Sequence, residues 1–131
     1  MTAAAGTFPG LTRIGQIAVV VHDLPRAVDF YRDTLGMRFL FAAPPKMAFF
    51  DCGGVRVMLS LPEGAEFDHP GSVLYYTVDD IHAAAAALAA RGVVFDAPPH
   101  IVARLPQADL WMGFFRDPDR NVLAIMTEAA R

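Results

Sequence analysis

Residues 17–36, IAVVVHDLPRAVDFYRDTLG, and residues 73–92, VLYYTVDDIHAAAAALAARG, share one layout. Each opens with a short run rich in β-branched and aromatic residues, which reads as a strand. Each then passes an aspartate, Asp23 or Asp80, placed to accept hydrogen bonds from the free amides of a helix start. The apolar positions that follow are Leu24, Ala27, Val28 and Tyr31 in one stretch and Ile81, Ala84, Ala85 and Leu88 in the other. Both sets keep the i, i+3, i+4, i+7 spacing that puts them on one face of a helix. A constant offset of 57 relates them, and it relates Asp23 to Asp80 as well. Gly36 and Gly92 stand where a left-handed C-terminal cap is wanted. Capped start, stripe and stop therefore keep one register, the mark of a duplicated unit.

Strands are expected after each helix. In the first half they are Arg38 to Ala42, Met47 to Cys52 and Val55 to Leu61, punctuated by Pro44-Pro45 and Gly53-Gly54. In the second they are Val93 to Phe95, Leu110 to Arg116 and Asn121 to Thr127, with DAPPHIVARLPQAD as an intervening loop. Each half reads βαβββ. The layout predicted is an N-terminal tail over residues 1–13 and a single domain over 14–131, with repeats at 14–61 and 72–127 joined by the linker 62–71. One helix per four strands covers one face of a sheet and leaves the other free to curve around a cavity.

The bulk composition agrees. The chain has 131 residues, 54% hydrophobic and 19% charged, enough for one domain with a real core. A net charge of −3 with scattered Lys and Arg gives no footprint for nucleic acid. No apolar run approaches the roughly 20 residues that cross a bilayer, and MTAAAGTFPG has no basic flank of a leader. The single Cys52 makes no internal disulfide and no cysteine-based zinc site, which fits the cytoplasm. It is expected as a small buried hydrophobe.

Alternation sorts the strand residues into two faces. Ile17, Val19 and Val21, then Leu74, Tyr76 and Val78, then Val55, Val57, Leu59 and Leu61, form apolar rows suited to packing under helices. The opposite rows are Gln16, Ala18 and Val20; Val73, Tyr75 and Thr77; Arg56, Met58 and Ser60; and Val122, Ala124 and Met126. This mixed concave face has a few polar groups on an apolar wall, as ligand pockets do. A plain hydrophobic core with Tyr75 and Ser60 satisfied locally is the competing reading.

With IAVVVHDLPRAVDFYRDTLGM, VLYYTVDDI and FFRDPDRNVLAIM in view, the chain resembles the vicinal-oxygen-chelate superfamily over about residues 14 to 127. This superfamily includes glyoxalase I, extradiol dioxygenases, fosfomycin-resistance enzymes and bleomycin-binding proteins. The resemblance implies an α+β fold in which two tandem βαβββ modules form an eight-stranded, cup-shaped mixed sheet with helices on its outer face. It also implies a small-molecule ligand and a homodimer. In metal-dependent members the ligands come from the first and last strand of each unit, and the matching positions here are Gln16, Met58, Val73 and Ala124. A divalent centre needs several imidazole or carboxylate donors. One amide, one thioether and two alkyl groups do not provide them, so neither a metal nor another cofactor is expected. The turn DPDRN also departs from the family, with Arg120 where glycine is usual; a positive φ there costs about 1 kcal/mol or more, and a shifted turn would avoid it.

Without a metal, chemistry would require a positioned acid or base. His100 and Arg104 are the candidates, one ionising near neutral pH and the other able to clamp an anion; the plainer reading, a solvated loop, outweighs that role for both. His22 and His82 belong to the helix side and His69 to the linker, so the histidines form no metal constellation. Trp111, Phe114, Phe115, Phe49, Phe50 and Tyr75 serve either ligand stacking or the core. The reading is a metal-free binder of a largely apolar or aromatic ligand, held by Gln16, Met58, Ser60, Val73, Tyr75, Thr77, Trp111 and Ala124. The alternatives are a metal-independent isomerase, lyase or hydrolase using His100 and Arg104, or a divalent-metal enzyme whose ligands lie elsewhere.

Overall fold

The computed structural model of the chain describes residues 8–131. Of the expected tail, residues 1–7 lie outside the described residues, and 8–13 form no regular element. The first unit contains β1 (Gln16–Val20), α1 (Leu24–Asp29) running on as a π turn (Phe30–Thr34), β2 (Arg38–Ala43), β3 (Met47–Cys52) and β4 (Val55–Ser60). The second contains β5 (Leu74–Thr77), α2 (Ile81–Ala90), β6 (His100–Arg104), β7 (Ala108–Arg116) and β8 (Val122–Ala130). The eight strands lie in two four-stranded sheets, ordered β1-β4-β3-β2 and β5-β8-β7-β6. In each sheet the first strand pairs parallel with the last while the remaining pairs are antiparallel, so both sheets are mixed. The parallel pairing is possible because a helix and a hairpin separate its strands in sequence.

The duplication is visible in the ladders. Ala18 pairs with Met58 in one unit, and Tyr75, 57 positions after Ala18, pairs with Ala124 in the other. Met58 and Ala124 are therefore equivalent, as the parity of the strands requires. Both helices start on the expected caps: Asp23 accepts from the Arg26 amide at 3.1 Å and Asp80 from the Ala83 amide at 3.0 Å.

The stops do not keep the same offset. Gly36 and Gly92 both have positive φ, at 72° and 95°, but they are 56 positions apart. The π turn accounts for the missing residue. The Leu35 amide donates to the Phe30 carbonyl, five residues back, so the first helix contains one residue more than a regular turn would. At the caps the Met37 amide reaches Tyr31 while the Val93 amide reaches Leu88, spans of six and five residues between equivalent acceptors.

One strand falls elsewhere than expected. Residues 93–95 are not a strand, because the Val93 amide is spent on the α2 cap and its side chain plugs the core at 7% exposure. The edge strand is His100–Arg104 instead, inside the stretch expected as a loop. It follows Pro98-Pro99, and its side chains alternate exposed and half-buried.

Each helix packs on the central strands of its own sheet, and a single core joins both units. Tyr31, Phe50, Val57, Leu59, Phe115 and Leu123 are almost wholly buried in it. Burying each aliphatic or Phe side chain of this set is worth about 1.5–3 kcal/mol.

Polar groups close the seam between the units. Asp117, 4% exposed, accepts from the Tyr31 hydroxyl at 2.8 Å, from the Asp119 and Asn121 amides, and from Asn121 Nδ2. The Asn121 amide group also donates to the Val20 carbonyl at 2.9 Å, tying β8 to β1. The turn DPDRN thus fastens one unit to the other. Arg120 keeps a φ of 69°, so the turn is not shifted, and its amide donates to the Asp117 carbonyl.

Candidate functional site

The face of each sheet turned away from its helix carries most of the expected ligand residues. Gln16 and Met58 meet there, with Gln16 Nε2 3.9 Å from the Met58 sulfur. Phe49 lies on the same face, stacked on Phe41 at 4.7 Å, with the Arg56 guanidinium 5.6 Å from its ring centroid. On the second sheet Tyr75 and Thr77 are exposed, and Tyr75 stands edge-on to Phe114 at 5.9 Å. Ala124 lies between those two strands, paired with both Tyr75 and Phe114, and is fully buried. Val73 precedes β5 and is half-buried.

The donors at the four positions the family uses for metal do not fit a divalent ion. Gln16 and Met58 already engage each other, Val73 offers no donor, and Ala124 is sealed over. Among the described residues no group of three or more His, Cys, Asp and Glu is arranged to hold a metal.

Trp111 is on the opposite side. It packs against the core, edge-on to His82 of α2 at 5.0 Å, under the helix rather than on the face turned away from it. His100 and Arg104 are not brought together either. His100 pairs with Met112 and Ile101 with Trp111, but a bulge before Ala103 then shifts the register, so Arg104 pairs with Asp109. One extra residue reverses the faces, placing Arg104 on the Trp111 side and His100 on the Met112 side. Arg104 is bound to Asp109 at 3.2 Å, and Arg131 holds the same carboxylate. The His100 Nδ1–H donates to the Pro98 carbonyl at 3.0 Å.

The larger cavity, about 560 Å³, lies at the junction of the units. It opens where β1 and the end of β4 meet the starts of β5 and β8, and residues of the linker line one side of it. Of the expected ligand residues only Ser60 lines it. The others that matter are Phe67, His69, Ser72, Asn121 and Glu63. His69 Nδ1 lies 3.1 Å from the Pro70 carbonyl, which can only accept, so Nδ1 donates to it. Sequence reasoning left His69 in a connector because nothing local shows that the connector returns over β1.

The linker is held in place by His22. Its Nε2 is 2.7 Å from Asp68, its Nδ1 3.1 Å from Asp119, and its backbone amide donates to the same Asp119 oxygen at 2.8 Å. The hydrogen bond to Asp68, then that to Asp119, raises the His22 pKa above its ordinary 6.5. Asp79 stands at the equivalent position of the second unit, so this clasp is not duplicated.

A second cavity of about 490 Å³ lies on the helix side between the units, next to Cys52, Tyr76 and Arg91. Burial pushes the Cys52 thiol up, against a nucleophilic role. Burial also raises the Tyr76 hydroxyl, which has no hydrogen-bond partner among the described residues.

The comparisons with known proteins agree with this architecture. The profile of the Glyoxalase/Bleomycin resistance protein/Dioxygenase superfamily matches residues 13–125, and the chain belongs to that superfamily. A member of the superfamily from Sphaerobacter thermophilus is 28% identical, with a TM-score of 0.72, over 90% of this chain and 98% of that one. A glyoxalase/bleomycin resistance protein/dioxygenase from Nocardioides is 25% identical, with a TM-score of 0.70, over 92% of this chain and 85% of that one. Lactoylglutathione lyase from Agrobacterium tumefaciens has the same fold, with a TM-score of 0.73 at 23% identity over 89% and 94% of the two chains. No curated protein matches the sequence. No helix among the described residues is long and apolar enough to cross a membrane.

Proposed function

We propose that the chain is a metal-free, small-molecule-binding protein of the glyoxalase/bleomycin-resistance type, taking a largely apolar or aromatic ligand. Membership of the superfamily supports a small-molecule site; the ligand class and the absence of metal rest on the residues. The observation that carries the reading is Ala124, a position from which the family draws a ligand donor, buried here beside the Tyr75–Phe114 pair. The concave surface is apolar and aromatic, with Gln16, Met58, Ser60, Tyr75 and Thr77 upon it, and it passes into the junction cavity at Ser60.

The protein works as a cytoplasmic homodimer in this reading. Phe41 and Tyr75 remain 48% and 46% exposed on the concave faces, and a second copy would cover them. The catalytic alternative has less support, since the bulge in β6 separates His100 from Arg104 and Arg104 already has a carboxylate partner.

A thermal-shift screen of apolar and aromatic metabolites, run with metal analysis of protein purified without chelator, tests the proposal. A ligand that stabilises the fold by mass action, with no stoichiometric divalent ion, is expected. One tightly held divalent ion per chain would overturn it.

A further inference from the structure

We propose that the linker over residues 62–71 is a proton-operated flap: His22, gripped between Asp68 and Asp119, holds it closed over the junction cavity, and loss of the His22 proton lets it lift. The inference deepens the proposed function and rests on that cavity as the ligand site.

The two contacts are both hydrogen bonds only when the ring is doubly protonated. Both imidazole nitrogens face carboxylate oxygens, at 2.7 and 3.1 Å, and a carboxylate can only accept. A neutral imidazole has a single N–H. When the proton passes to solvent, one carboxylate is left facing a lone pair.

Asp68 is the carboxylate free to separate. Asp119 keeps a second bond, from the His22 backbone amide, and its side chain is only 2% exposed. The Arg26 guanidinium also approaches Asp119, at 3.8 Å, and donates to the Pro118 carbonyl. Asp23, next to His22 in sequence, is spent on the α1 cap, and Asp117 lies beneath the turn with its four donors. The Asp68 side chain is 45% exposed and has no partner other than His22 among the described residues. Phe67 and His69, its immediate neighbours, line the cavity on the linker side. Releasing Asp68 therefore frees that side of the lining.

Amide exchange of residues 62–71 between pH 5.5 and 8.5, corrected for the intrinsic rate, reads the flap without any ligand. Opening should rise about two- to fivefold with pH, the range a half-exposed ion pair supports. His69→Gln should keep that rise, whereas His22→Gln should abolish it and Asp68→Asn should leave the linker open at low pH. A flat profile in the native protein, or a rise that persists in His22→Gln, overturns the proposal. Nile red, a neutral aromatic dye, reads the cavity in a second arm, where its release should quicken over the same pH interval. Release that ignores pH while the flap responds overturns the gating. A flap that switches while Nile red binds at no pH keeps the clasp and removes the cavity as the ligand site.

Discussion

Thr34 and Arg91 join the two units: the Arg91 guanidinium donates to the Thr34 carbonyl at 3.1 Å. The contact joins corresponding helix ends, since each residue lies within two positions of the capping glycine of its unit, Gly36 or Gly92. It places the two helix ends at the centre of the seam, where a cation meets the carbonyls left free by the first helix. The seam is thereby asymmetric in chemistry although symmetric in architecture, and its remaining polar contacts come from unrelated parts of the units.

Asp117 is the centre of those contacts. Replacing it with Ala leaves the Tyr31 hydroxyl and the Asp119 and Asn121 backbone amides without their acceptor, and the Asn121 side chain keeps only its bond to Val20. A loss of about 3 kcal/mol or more is expected. Tyr31→Phe removes one bond to a carboxylate and should cost about 1.5–3 kcal/mol. Urea unfolding of both variants checks the order, and equal losses would show that the hydroxyl accounts for the whole effect.

Arg120 carries a φ of 69°, a conformation that costs a residue with a side chain about 1–2 kcal/mol. Glycine relieves this but pays more backbone entropy on folding. Arg120→Gly should therefore stabilise the fold by about 0.5–1 kcal/mol, while Arg120→Ala should gain nothing. Denaturant midpoints at constant slope decide it.

His22 makes stability depend on pH. Its folded pKa is raised, so its contribution is complete below the unfolded value near 6.5 and disappears as pH climbs through the folded value. The native protein should lose stability over that interval and His22→Gln should not. Thermal unfolding from pH 5.5 to 8.5 measures the difference, and parallel curves would deny His22 the role.

Trp111 should be silent to the ligand. It is packed beneath α2 against His82, on the far side of its sheet from the concave face. Binding on that face is expected to leave its emission unchanged in a fluorescence titration, and the single Trp makes the readout clean. A shifted spectrum would move the ligand to the helix-side cavity.

The duplication was legible because helix caps and stripes are local: Asp23 and Asp80 declare themselves within a few residues of the amides they receive. The offset of 56 between Gly36 and Gly92 is plain in the sequence, but no composition rule announces the π turn at Phe30 that causes it. Residues 100–104 passed for a loop because Pro98-Pro99 precedes them, and their bulge hid which face His100 and Arg104 take. Half of the concave face followed from parity alone. The junction cavity did not, because it depends on His22 meeting Asp68 and Asp119 across separations of 46 and 97 residues.

Ala124 allows the most direct trial of the metal argument. If the position were an open site that had merely lost its donor, Ala124→Glu, combined with Gln16→His, would be tolerated and would restore divalent-ion binding. The structure predicts otherwise. The alanine is fully buried, with Tyr75 and Phe114 as its cross-strand neighbours, so a carboxylate there must either displace the aromatic pair or sit desolvated without a partner. Ala124→Glu alone should cost about 3 kcal/mol or more, with or without zinc in the buffer. Chemical denaturation with and without added zinc, alongside equilibrium dialysis against the metal, provides the measurement. A double variant that folds normally and binds one zinc ion per chain would show that the pair moves aside readily and that the site is open after all.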